Sequence, residues 1–96
     1  MVEERFSRDC GCSEAEWRRS LPEAVAPHAL ALHAAGATVT LGHGRLHLRW
    51  QPLAPRRIAL LHLPRLQVDF EFDGVPEAER QTFLRRFDLC MQRGGG

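Results

Sequence analysis

The residues best suited to chemistry lie in the middle of the chain. Arg45, His47 and Arg49 recur at every second position, and Arg56 and Arg57 follow a few residues later. A guanidinium donates two parallel hydrogen bonds from a planar fork, which matches phosphate and carboxylate, so this spacing on one strand describes an anion-binding face. No carboxylate occurs between Glu23 and Asp69, while the same stretch holds five Arg and all five His. With His neutral it carries +5, against −2 for residues 1–24 and −2 for residues 66–96, so the formal net charge of +1 conceals a segregation. A phosphorylated ligand, nucleic acid or an acidic protein would suit such a surface. Asp69 and Glu71 on a neighbouring strand would instead neutralise it, since opposite charges across strands are an ordinary sheet feature. A near-neutral domain without an aromatic stacking platform is a poor nucleic-acid binder.

Cys10-Gly11-Cys12 offers two thiols, as metal ligands or a redox pair. Structural zinc sites take four ligands and usually space paired cysteines by two residues, so a third and fourth ligand would have to come from Cys90 and a histidine. Cys90, beside Met91, reads as a small core residue rather than a nucleophile. His28, His33, His43, His47 and His62 show no HExxH or comparable helical spacing. There is no nucleophile elbow, phosphate-binding loop or dinucleotide fingerprint. Asp69, Glu71 and Asp73 read as a solvated strand face rather than paired catalytic acids. These features predict no catalytic residue, no cofactor and no metal, with Cys10 and Cys12 the weak alternative.

Two further motifs are present. Pro52-Leu53-Ala54-Pro55-Arg56-Arg57 has the PxxPxR form of an extended ligand for aromatic grooves, but between two strands it reads as a rigid loop. The terminal Arg93-Gly94-Gly95-Gly96 resembles the diglycine tail of ubiquitin-like sulfur carriers, whose fold places a helix between two hairpins.

The elements that must position these residues follow from periodicity. Residues 1–12 show no sustained period and are expected to form an irregular arm. Ser13 stands three residues before Glu16, the capping-box spacing, and opens a short helix over about 14–20 that Pro22 ends. Leu30 and Leu32 mark a first strand. Ala37, Val39 and Leu41 then alternate with Thr38 and Thr40, and Gly42-His43-Gly44 supplies a tight hairpin turn. Leu46, Leu48 and Trp50 point one way from the next strand, with Arg45, His47, Arg49 and Gln51 opposite. The prolines at 52 and 55 break the pattern, and the apolar run Ile58 to Leu63 reads as a strand covered on both faces. Leu66, Val68, Phe70 and Phe72 alternate with Gln67, Asp69, Glu71 and Asp73. Pro76, Glu77 and Glu79 then start a helix whose apolar stripe is Phe83, Leu84, Phe87 and Met91. Residues 93–96 are expected to be a flexible tail.

Helix, four or five strands and helix in that order predict one small α+β domain over residues 1–96: an antiparallel sheet with a short N-terminal helix and an amphipathic C-terminal helix on one face. Ninety-six residues, 44% hydrophobic and 26% charged, allow a single core that buries roughly 60 to 70% of the extended surface. So small a core leaves little spare stability, and association with a second copy would supplement it. No apolar run approaches a transmembrane helix and no signal peptide is apparent, which predicts a cytoplasmic protein with no membrane partner. Three cysteines are too few for a disulfide framework. The segments Trp17 to Pro22, Arg56 to Leu66 and Phe87-Asp88-Leu89-Cys90-Met91-Gln92-Arg93-Gly94-Gly95-Gly96 together resemble a family of small uncharacterised bacterial proteins. That resemblance implies a bacterial setting and transfers no site residue.

The function expected from these features is a non-catalytic protein-interaction or assembly module, with a protein partner or a second copy bound through a sheet face or edge. The alternatives are an anionic-ligand or nucleic-acid site at Arg45, His47, Arg49, Arg56 and Arg57, and a sulfur-carrier-like or enzymatic role for the glycine tail or Cys90.

Overall fold

A computed structural model describes residues 2–93. Its elements run β1 (Arg5–Cys10), α1 (Glu14–Val25), β2 (Leu30–Leu32), β3 (Gly36–Leu41), β4 (Gly44–Ile58), β5 (Leu61–Asp73) and α2 (Glu77–Arg93). The five strands form one antiparallel sheet in the order β1-β5-β4-β3-β2. Strands β2 to β5 therefore make a meander, and α1 carries the chain from β1 at one edge to β2 at the other. The α+β class, the flanking helices and the antiparallel sheet agree with the alternation in the sequence.

The alternating stripes build the core. Val39, Leu46, Leu48, Trp50, Leu66, Val68, Phe70 and Phe72 are buried on the inner face of the sheet, against Trp17, Leu21, Ala24 and Val25 of α1 and Phe83, Leu84 and Phe87 of α2. Phe87 meets Trp17 and Phe70 edge-on with ring centroids 5.8 Å apart, a favourable aromatic arrangement that ties both helices to the sheet. At the start of α1 the capping box is complete: the Glu16 backbone N–H donates to Ser13 Oγ at 3.2 Å and the Ser13 backbone N–H donates to Glu16 Oε1 at 3.1 Å. Gly42, at φ 61°, makes the β3–β4 turn in the left-handed region that favours glycine.

Three expectations need correction. The first concerns residues 1–12, where β1 occupies Arg5–Cys10 in place of an irregular arm and pairs with β5 from Arg5↔Glu71 to Cys10↔Leu66. Its inward positions are Phe6, Arg8 and Cys10, and the central arginine hides the period. Arg8 occupies an apolar face because its guanidinium lies 5.4 Å from the Phe6 and Phe70 ring centroids and pairs with Asp88 of α2 at 2.5 Å. The second concerns Pro22, which lies inside α1 rather than ending it. Pro22 is exposed, and burial of Leu21, Ala24 and Val25 on the other side carries the helix past the one missing N–H.

The third concerns residues 52–64. The prolines do not end the strand: β4 runs on to Ile58 and pairs with β5 as far as Ile58↔Leu61, absorbing a register shift between Leu53 and Arg56. Fifteen residues of strand at about 3.3 Å each span roughly 50 Å, which matches the 47 Å long axis against 25 Å and 23 Å for the others. The outer part of this hairpin leaves the body as an arm. Ile58 to Leu63 is therefore the exposed tip of a hairpin and not a strand covered on both faces.

Removing a ring from the shared core should cost far more than trimming the surface. Phe70→Ala is expected to destabilise by about 3–5 kcal/mol, and Leu89→Ala, on the exposed side of α2, by under about 0.5 kcal/mol. Urea unfolding of the two variants gives both values; similar losses would contradict this core.

Candidate functional site

The five candidate anion-binding residues fall into two groups. Arg45, His47 and Arg49 project from the outer face of the sheet, as their alternation requires, where they stand in register with Asp73, Glu71 and Asp69 of β5. That face interleaves both signs. Arg5 pairs with Glu71 at 3.7 Å, and Asp69 accepts hydrogen bonds from Ser7 Oγ at 2.5 Å and Gln67 Nε2 at 3.2 Å. These two bonds, with the charge of Arg49, hold the Asp69 carboxyl below its ordinary range. The shallow concavity between these side chains, about 630 Å³, is thus lined by both cations and anions. Arg56 and Arg57 lie on the arm, beyond the register shift.

The thiols sit at one end of the body. Cys12 is buried in the link between β1 and α1, and Cys10 and Cys90 are half-buried on β1 and α2; all three are free. Burial pushes the Cys12 thiol up to about 11, helped by the nearby Cys10 and Glu16, and burial also raises Cys10. A nucleophile or metal ligand needs the opposite shift. Among the described residues no three His, Cys, Asp or Glu side chains are grouped to hold a metal ion. The histidines are dispersed: His28 lies beside Phe83, His33 contacts Thr38 Oγ1, His43 is in the β3–β4 turn, His47 is on the outer sheet face and His62 is on the arm. Gly94 to Gly96 lie outside the described residues.

Between β1, α1 and α2, Cys10 and Cys12 border a cavity of about 110 Å³, lined also by Arg8, Trp17, Phe87 and Met91. Trp17 is 3% exposed and its indole N–H is buried without an acceptor among the described residues. A buried donor left unpaired costs about 1–3 kcal/mol. By contrast, the Trp50 indole N–H donates to Glu14 Oε2 at 2.9 Å.

The arm is the feature that sequence reasoning missed. Ile58, Leu60, Leu61 and Leu63 are 52%, 96%, 61% and 41% exposed, in a protein whose other large apolar side chains are mostly buried. The ladder places Ile58 opposite Leu61, Arg56 opposite Leu63 and Leu53 opposite Arg65. Alternation then puts these six side chains on one face, an aliphatic patch crossed by two arginines, with Arg57 and His62 on the reverse. At the root, Arg65 is anchored to Asp9 of β1, which it holds below the usual carboxylate range. Pro52, Pro55 and Pro64 have no N–H to offer along the arm's strands, so the arm is poorly suited to growing the sheet by edge pairing. Its contact surface is its side chains. The sequence signal was the bracketing of Ile58 to Leu63 by Arg56-Arg57 before and Pro64-Arg65 after.

Because burial raises the Cys12 thiol, alkylation of the folded protein should leave Cys12 protected at pH 8 and modify it only as the pH approaches about 11. In the unfolded chain the thiol ionises near its ordinary 9, so the folded state holds the proton more tightly and stability falls as pH rises from about 9 to about 11. Peptide mapping after timed alkylation measures the first effect; rapid labelling of Cys12 at pH 8 would contradict it.

No protein-family model matches the chain, and a comparison with curated proteins finds no similar sequence.

Proposed function

We propose that the chain is a non-catalytic assembly module that associates with protein, in the first instance with itself, through the β4–β5 arm. The observation that carries this reading is the contiguous exposure of Ile58, Leu60, Leu61 and Leu63 at the end of a projecting hairpin. Leaving one such side chain in water forgoes about 1.5–3 kcal/mol relative to burying it. Patches of this kind on otherwise polar surfaces mark interaction sites. The reading departs from a sheet face or edge as the contact, because the outer face is interleaved with charge and prolines obstruct pairing along the arm.

Charge narrows the partner. Residues 52–64 contain Arg56, Arg57 and His62 and no carboxylate, so an acidic apolar surface is favoured. The arm carries no Phe, Tyr or Trp on which a base can stack, which weighs against nucleic acid. No helix among the described residues is long and apolar enough to cross a membrane. An anionic small ligand remains the second reading for Arg45, His47 and Arg49, supported by their common face.

Light scattering across a concentration series tests the proposal. The wild-type chain is expected to dimerise, and Leu60→Asp combined with Leu61→Asp to weaken dimerisation by at least about a hundredfold while leaving the circular dichroism spectrum unchanged. A monomer at every concentration, or a dimer indifferent to both aspartates, would refute it.

A further inference from the structure

We infer that the arm is exchanged reciprocally between two copies of this chain, the tip of each hairpin seating in the Cys12–Trp17–Met91 cavity of the other. This rests on the proposed role of the arm and specifies what covers it.

Placement comes first. The cavity and the root of the arm share one end of the body, since Leu66 at the root pairs with both Cys10 and Pro52, and Glu14 at the start of α1 bonds Trp50. From Leu53 to Ile58 the arm extends about 20 Å beyond that end. Two copies placed root to root with antiparallel arms therefore bring each tip to the other's cavity by a single twofold operation. Such an isologous contact closes on itself.

Size and chemistry agree. A dry cavity of about 150 Å³ accepts the six carbons of benzene, so the 110 Å³ available suits the four carbons of one leucine side chain. Leu60, the most exposed apolar residue of the tip, is that leucine. It sits in the turn after Ala59, where backbone carbonyls lie beyond the last ladder pair, Ile58↔Leu61. Trp17 itself lines the cavity, so its indole ring reports on what fills it. Of the charged side chains lining the cavity, Arg8 is paired with Asp88, which leaves Glu16 opposite in sign to Arg56, Arg57 and His62 of the incoming arm.

Area explains the reciprocity. A tip in a cavity covers a patch of roughly 300–600 Å², short of the 1,200 Å² or so that a stable interface needs. The twofold repeats the contact and adds the packing of one arm along the other. The apolar concavity bounded by Ala24, His28, Leu41, Phe83 and Glu79 is larger, about 490 Å³, but it adjoins the β3–β4 turn at the far end of the body. An arm docked there would be head to tail and would propagate without closing.

The chain has two tryptophans, so the ¹⁵N-labelled wild-type protein gives two indole N–H resonances, assigned with Trp17→Phe. On dilution the Trp17 resonance should move with the same midpoint as dimer dissociation by light scattering, and the Trp50 resonance, bonded within its own chain, should stay. Leu60→Asp should hold Trp17 at its dilute position. Met91→Trp, which fills the cavity mouth and leaves the arm's own sequence unaltered, should weaken dimerisation about tenfold. An arm-dependent dimer in which Trp17 does not move would overturn the exchange and leave the assembly role standing. Unlimited growth with concentration would point to the far concavity and also overturn it, and a strict monomer would overturn both.

Discussion

The pairing of β4 with β5 is the interaction on which the rest of the structure depends. Over the body, its inner face presents Leu46, Leu48 and Trp50 beside Leu66, Val68, Phe70 and Phe72, the surface on which both helices pack. Its outer sides accept β3 and β1, which complete the sheet. Past Leu53 the same ladder continues without β1, β3 or a helix beside it and becomes the arm. One hairpin thus supplies both the centre of the fold and its most exposed apolar surface. Stability and association are coupled through it, because register in the body sets which side chains share a face at the tip.

Electrostatics follow from the same register. The basic excess of the central sequence is offset on the outer sheet face, where Asp69, Glu71 and Asp73 stand opposite Arg49, His47 and Arg45. At the arm root Arg65 is bound to Asp9, and on the inner side Arg8 is bound to Asp88. These exposed or half-exposed pairs contribute modestly to stability and mainly fix orientation. Arg56 and Arg57 are carried out of this network onto the arm, where they accompany aliphatic side chains.

Much of the architecture was legible in the sequence because strict alternation has a single geometric meaning. The stripe at 46, 48 and 50, the stripe at 66, 68, 70 and 72 and the Gly42-His43-Gly44 turn identify two strands and a hairpin, and Ser13 with Glu16 identifies a helix start. Strand β1 was concealed because the Arg8 guanidinium is held over the Phe6 and Phe70 rings and paired with Asp88, a tertiary effect that no local period reveals. The arm was concealed for a different reason. A short apolar run predicts burial, and the sequence does not distinguish burial in the chain's own core from burial against another molecule. Proline was misread twice for one cause: it removes a donor, which ends an element only where that donor is needed. The candidate site divided likewise, since Arg49 and Arg56 are close in sequence but separated by the register shift that begins at Leu53.

The central claim is that the arm is held in place by its partner. Hydrogen–deuterium exchange followed by mass spectrometry at low and high protein concentration tests it most directly. Peptides spanning residues 53–65 should gain protection as concentration rises, while those within residues 44–50 and 66–73, already inside the sheet, should not change. Protection of residues 53–65 that is independent of concentration would contradict the account.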